Sequence, residues 1–350
     1  MAFARAVQGS NSIEGYNASL DDVAAAVDGE PVLDADAETQ LALTGYRDAM
    51  TYVLQVGQDG LAVVDEGLLK ALHFMMLKHD LGKSPGQWRP GYIAVRDDSA
   101  GEIVYEGPDA ESVPELIQAM LAELAREDVS VLVRAAMAHL NLVMIHPFRD
   151  GNGRMARAVQ TLVLAREQLT APVFSSIEEY LGRNTESYYE VLAEVGQGAW
   201  HPEHDARPWI RFCLVAHYRQ VRTQLQRIRE AEALWIACTA YAERHGLPDR
   251  VAGGLVEAAY GFRLRNATYR AAVRVTAGDE ISELTASRDL KRMVDAGALI
   301  PVGERRGRHY VGDRGILDIR DEIRDARKPD ADSDPFEAVR RRAQLSLPTA

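Results

Sequence analysis

The chain has 350 residues, 47% hydrophobic and 26% charged, with a net charge of −12 at pH 7. That length suffices for two domains with a substantial core. The composition is that of an ordinary globular protein, and the negative balance argues against bulk nucleic-acid binding while permitting a local basic patch. Two cysteines, Cys213 and Cys238, lie inside apolar helical patterns and read as buried thiols, which excludes a disulfide-built scaffold. No apolar run approaches the length of a membrane span and no signal-peptide pattern opens the chain, so a soluble, cytoplasmic protein with no membrane partner is expected.

The first twenty residues contain Ser10-x-x-x-Glu14-Gly15 in a polar setting. Residues 37–57 and 66–79 carry apolar side chains at spacings of three and four and read as helices, with Asp65 as N-cap of the second. His73, among Leu72, Phe74 and Met75, reads as a packed structural histidine and not a ligand. The run Leu81-Gly82-Lys83-Ser84-Pro85-Gly86 is a break. Beyond it, Tyr92-Ile93-Ala94-Val95 and Ile103-Val104-Tyr105 are β-prone segments around a polar turn at 97–101, a hairpin signal. Residues 108–125 and 131–145 are expected to be helical, the latter delivering His146.

The chemistry concentrates in His146-Pro147-Phe148-Arg149-Asp150-Gly151-Asn152-Gly153-Arg154-Met155-Ala156-Arg157. An apolar run leads in and an apolar helix leads out, so this is a loop opening onto a helix N-terminus, where unpaired N–H groups and the helix dipole favour an anion. Gly151 and Gly153 let the backbone form a nest, and Arg154 and Arg157 project from one face of the first turn. His146 can take a proton near neutral pH. Asp150 is a hard oxygen ligand suited to Mg²⁺, and Asn152 can donate to a phosphate oxygen. The site reads as a polyphosphate holder with a base beside it.

This run resembles the Fic family signature, His-Pro-Phe-x-Asp/Glu-Gly-Asn-Gly-Arg-x-x-Arg, at every defined position. The resemblance implies transfer of AMP from ATP to a hydroxyl of a target protein, with His146 as base and Asp150 as the Mg²⁺ ligand. It further implies Asn152 on the α-phosphate, Gly151 and Gly153 as the anion nest, and Arg154 and Arg157 on the outer phosphates. Phosphorylating relatives of the Doc type carry lysine where Gly153 stands, so Gly153 favours nucleotidyl transfer. Ser10 and Glu14 resemble the family's inhibitory Ser/Thr-x-x-x-Glu-Gly/Asn motif, which implies a carboxylate on Arg157 in the place of the γ-phosphate. Residues 92–95 (Tyr92, Ile93, Ala94, Val95) would belong to the flap that docks the target by main-chain pairing.

Further on, 177–195 carries Tyr188 and Tyr189, either a neighbour of adenine by family analogy or simply packing tyrosines. His201-Pro202-Glu203-His204-Asp205 reads as a solvated connector, and 208–229 as the helix closing the Fic-like part. Residues 281–311 read as helix-turn-helix plus hairpin, similar to a winged helix. Arg288, Lys291 and Arg292 lie on the outward face of its second helix, with Arg305, Arg306 and Arg308 in a basic turn; these six are the candidate DNA contacts. The expected architecture is mainly α: a Fic helical domain with a β-hairpin flap over 1–225 (inhibitory segment about 8–20), a winged helix-turn-helix domain over 226–318, and a weakly ordered tail over 319–350. Two alternative functions are removal of AMP and nucleotide-sensing transcriptional regulation. A homodimer is a further partnership to test.

Overall fold

The computed structural model describes residues 1–96, 101–167, 176–304, 308–326 and 334–336. Two compact units divide them, Met1–Arg222 together with residues 334–336, and a second beginning at Thr223.

The first unit opens with α1 (Ala2–Ile13), α2 (Leu20–Asp28), α3 (Ala37–Gln58) and α4 (Glu66–Leu77). Side chains of Ser19, Asp36 and Asp65 accept from backbone N–H groups to cap α2, α3 and α4. Strands β1 (Ala94–Arg96) and β2 (Ile103–Glu106) follow, then α5 (Val113–Leu124), α6 (Val131–Ile145) and α7 (Asn152–Arg166). The core gathers Tyr46, Met50 and Val53 of α3 with Leu142 and Ile145 of α6 and Met155, Val159 and Leu162 of α7. Every residue of α7 except Gly153 and Arg166 is buried. A helix buried on all sides is a core helix, so the polar groups at its N-terminus are held on a rigid element.

The two strands form an antiparallel pair in which Ala94 faces Glu106 and Val95 faces Tyr105, with an irregularity between Val95 and Arg96. Tyr92 and Ile93, expected within the strand, precede it, because pairing begins only at Ala94. The turn at 97–100 lies outside the described residues. The expected run over 177–195 is broken in two, α8 (Glu178–Arg183) and α9 (Thr185–Gly196), at Asn184, which leaves helical geometry (φ −128°, ψ 42°). The helix expected to end at 229 runs on as α10 (Arg207–Arg244), with no glycine or proline between Arg229 and Gly246 to stop it.

The second unit contains α11 (Ala252–Ala259), α12 (Asn266–Ala277), α13 (Glu283–Asp295), β3 (Leu299–Val302), β4 (His309–Gly312) and α14 (Arg314–Asp325). Strands β3 and β4 pair antiparallel, Leu299 against Gly312 through Val302 against His309. Leu255, Tyr269, Leu290, Met293, Leu299 and Ile316 form its core. Helix α14 corrects the expectation of a weakly ordered tail from 319: Ile319 and Ile323 pack against that core, continuing the stripe begun by Ile316. Arg288, Lys291, Arg292 and Arg308 are exposed, whereas Arg305 and Arg306 lie outside the described residues. Asp289, an acid that the sequence places among these cations, is buried and held by Arg250 at 2.7 and 2.9 Å and by the Tyr269 hydroxyl at 3.0 Å. Among the described residues no helix is long and apolar enough to cross a membrane.

Candidate active site

His146 ends α6 with φ 50° and ψ 58°, a left-handed conformation that costs a non-glycine residue energy and must be held by its surroundings. Arg89 does the holding. Its backbone N–H donates to the Pro147 carbonyl at 2.9 Å and its Nε to the His146 carbonyl at 2.8 Å. The other nitrogens donate to the carbonyls of Gly91 and Pro108, tying the same guanidinium to both ends of the hairpin. On the imidazole, Nδ1 lies 3.1 Å from the Val143 carbonyl. That bond assigns the proton to Nδ1 and leaves the Nε2 lone pair to accept another. Burial pushes the His146 pKa below its ordinary value, against the pull of that carbonyl.

The loop that follows is shaped by His73. Its Nδ1 accepts the Gly86 N–H at 2.8 Å, so its Nε2–H donates to the Asp150 carbonyl at 2.9 Å. The ring stacks on Phe148 with centroids 3.7 Å apart. Asn152, expected to reach for phosphate, also fastens the turn: its Oδ1 accepts the Phe148 N–H and its Nδ2 donates to the Phe148 carbonyl, both at 2.9 Å. Only its second amide proton is left over. Gly151 has φ 75°.

Asp150 accepts the Gly151 N–H at 2.7 Å and pairs with the Lys83 ammonium at 2.8 Å. Burial pushes its carboxyl up, but Lys83 outweighs this and holds it below the ordinary carboxylate range. Among the described residues no three His, Cys, Asp or Glu side chains converge on a metal position. Mg²⁺ is commonly held by one carboxylate plus substrate phosphates, and a single reachable Asp150 beside an anion nest fits that pattern.

Arg154 and Arg157 are each 1% exposed. Arg154 lies with its guanidinium 5.2 Å from the Tyr16 ring, and its Nε and Nη1 are buried with no protein acceptor. Arg157 donates from Nε to Ser10 Oγ at 2.7 Å, and from Nη2 to the Ser10 carbonyl at 3.0 Å and to Glu14 Oε1 at 2.7 Å, while its Nη1 is also left without an acceptor. Buried guanidinium N–H groups without partners are rare and costly, and an oligophosphate would supply their acceptors. Ser10 lies within α1, and Glu14 caps its C-terminus. A Cβ on Gly153 would fall 2.6 Å from Glu14 Oε1 and 3.1 Å from Arg157 Nη1, so glycine is what lets the carboxylate sit there.

Residues 63–164 match the profile described as Fic/DOC family. Over these residues the chain is similar to the Fic/DOC family. The protein adenylyltransferase Fic of Nematostella vectensis is 28% identical over 221 residues, covering 60% of this chain and 46% of that protein. The protein adenylyltransferase fic-1 of Caenorhabditis briggsae is 34% identical over 124 residues, covering 32% of this chain and 22% of that protein. The chain thus spans less than half the length of these curated relatives. A Fic family protein from Desulfovibrio desulfuricans G20 has a similar fold, with a TM-score of 0.56 and 24% identity over 89% of this chain and 86% of that one. Fic-1 of C. elegans has a similar fold too, with a TM-score of 0.51 and 22% identity over 64% of this chain and 62% of that one.

The fold brings together His146, Asp150, Gly151, Asn152, Gly153, Arg154 and Arg157 with Ser10 of α1 and Glu14 at its C-cap. Tyr188 is buried, with its hydroxyl 3.0 Å from His139 Nε2, a packing tyrosine; Tyr189 is half exposed. The connector containing His201 and His204 gathers no metal set. Sequence reasoning missed Lys83 and Tyr16, and reached Arg89 only as the end of the run Gly86-Gln87-Trp88-Arg89, which resembles a family pattern. Their partners at the site lie far along the chain.

Proposed function

We propose that the protein transfers AMP from ATP to a hydroxyl side chain of a target protein and of itself, with Mg²⁺ and under restraint by Glu14. What carries the reading is one juxtaposition: an imidazole with Nε2 ready to accept a proton, beside a helix N-terminus bearing buried arginine N–H groups that have no protein acceptor. The hydroxyl oxygen attacks the α-phosphorus, its proton passes to His146 Nε2, and the bond from that phosphorus to the pyrophosphate oxygen breaks. The nest N–H groups and Arg154 take the charge on the departing pyrophosphate. Mg²⁺, held by Asp150 and the phosphates, would supply further charge neutralisation. The nucleotide must displace Glu14 from Arg157 to place its γ-phosphate there. The hairpin with Ala94 and Val95 at its edge strand would receive the target segment.

The test is incubation with ATP labelled at the α-phosphate, comparing wild type with His146→Ala and Asp150→Ala. Transfer should fall about 10²- to 10⁴-fold in His146→Ala, the usual worth of a general base, while nucleotide binding survives. Asp150→Ala should lose transfer even at high ATP. Label at the wild-type level in His146→Ala would refute the assignment.

For the second unit, the order helix, helix, helix, antiparallel pair supports a winged helix with α13 as the outward basic helix. Arg288 and Arg292 are exposed on it, while Lys291 is paired with Asp295 at 2.8 Å. Arg288→Ala with Arg292→Ala should weaken DNA retention and lower its salt slope by about one unit for each phosphate no longer neutralised. Unchanged retention would turn the reading towards a protein-binding module.

A further inference from the structure

Lys83 sits on a short 3₁₀ turn, Leu81–Lys83, sixty-seven residues from the loop it touches. Its Nζ lies 2.8 Å from Asp150 Oδ2 and 3.9 Å from Asp80 Oδ2. The other oxygen of each carboxylate is already engaged: Asp150 Oδ1 by the Gly151 N–H at 2.7 Å, Asp80 Oδ1 by the Gly82 N–H at 3.0 Å. The lysine thus stands between two carboxylates, each with one oxygen open to it.

We propose that Lys83 is a built-in competitor for the metal carboxylate: its ammonium holds Asp150 when no divalent cation is bound, and moves to Asp80 when one is. The inference rests on the reading of Asp150 as the Mg²⁺ ligand. Mg²⁺ needs an oxygen at about 2.0–2.1 Å, and an ammonium on that same oxygen would crowd the ion's other ligands. Positive charges about 4 Å apart repel several times more strongly at a protein surface than in bulk water, so the two cations exclude each other at Asp150. Lys83 therefore sets the metal concentration at which Asp150 is released to the ion. Asp80 gives the displaced ammonium a destination within its own turn.

The experiment is a Mn²⁺ titration followed by electron paramagnetic resonance on the full chain, with a non-hydrolysable ATP analogue saturating in every variant. Lys83→Gln should bind Mn²⁺ about three- to fivefold more tightly, the range expected from losing a partly exposed ion pair. Lys83→Arg keeps the competing charge and should bind like wild type. Asp80→Asn, which can still accept the Gly82 N–H, should bind Mn²⁺ more weakly, because the displaced lysine has lost its second partner. Unchanged or weaker Mn²⁺ binding by Lys83→Gln would overturn the proposal, and wild-type binding by Asp80→Asn would remove Asp80 from it. Asp150→Asn separates the two levels. If it binds Mn²⁺ as well as wild type, the metal-ligand reading itself fails. If it loses Mn²⁺ while Lys83→Gln is unchanged, only the competitor role falls.

Discussion

Arg157 Nη2 and Glu14 Oε1 lie 2.7 Å apart, joining the last turn of α1 to the first turns of α7 across 143 residues of sequence. The arginine side is buried and the glutamate side is about one-quarter exposed. Burial alone would lower the Arg157 pKa, but Glu14 outweighs it and the guanidinium is held still more firmly protonated.

Glu14→Gly should therefore release Arg157 to a nucleotide and raise self-labelling at least ~10-fold, equivalent to about 1.4 kcal/mol of restraint. Adding Arg157→Ala should remove most of that gain. The measurement is label incorporation at matched ATP and Mg²⁺, and equal labelling by wild type and Glu14→Gly would end the autoinhibition idea.

Gly9→Ala should act on the same restraint from a distance. A Cβ there would lie 2.4 Å from the Glu178 carbonyl oxygen, a backbone atom that cannot swing aside. Helix α1 must shift away from α8, at about 1–3 kcal/mol for overpacking, and carry Glu14 with it. The expected outcome is a lower melting temperature together with raised self-labelling. A variant matching wild type in both would show that α1 position and Glu14 restraint are independent.

The pH dependence of transfer should report His146. Its pKa is depressed by burial from the ordinary 6.5, so the neutral, proton-accepting form persists into more acidic solution. In the Glu14→Gly background the acid limb of the rate profile should have its midpoint below 6.5 and be flat above it. A midpoint above that value would mean the imidazole is more easily protonated than its surroundings imply.

Much of this site was legible in the sequence because its working groups are contiguous. Helix α6 spans Val131–Ile145 as expected, since an apolar run ends there against a proline-containing loop. The nest and both arginines follow within a dozen residues. What escaped depends on partners distant in the chain. The run Gly86-Gln87-Trp88-Arg89 draws the eye to Arg89 but not to the His146 carbonyl, fifty-seven residues away, that its guanidinium fixes. Asn152 offers the chemistry of a phosphate donor, and only the fold reveals that Phe148 takes both ends of its amide. Helix α14 was a different kind of miss. Its Asp313 cap and the spacing of Ile316, Ile319 and Ile323 were there to read, but the surrounding Arg and Asp residues masked them.

Glu178 should make stability pH-dependent. It is fully buried, and burial pushes its carboxyl up to about 7, against the pull of Arg157. The folded pKa is above the unfolded 4.5, so the protonated form's contribution is complete below 4.5 and is lost as pH rises to about 7. Glu178→Gln keeps a neutral isostere, so its stability relative to wild type should rise by about 3 kcal/mol between pH 4.5 and 8. Urea unfolding of both proteins across that range is the check, and a pH-independent difference would mean Glu178 stays ionised when folded.

Helix α1 is also a structural member. Ala4 and Val7 belong to the main core, and a Cβ on Gly182 would lie 2.6 Å from Gly9 Cα, so α1 and α8 touch backbone to backbone. As the proposed inhibitor, a carboxylate fused into the core would have no dissociation constant: dilution could not remove it, and its local concentration at Arg157 would be the same in every molecule. On the proposed reading the switch would be a side-chain rotation of Glu14, and ATP would bind productively only to the fraction of molecules in which that rotation had occurred. Cutting away the first fifteen residues would not mimic Glu14→Gly, because it would strip apolar packing from the core along with the carboxylate.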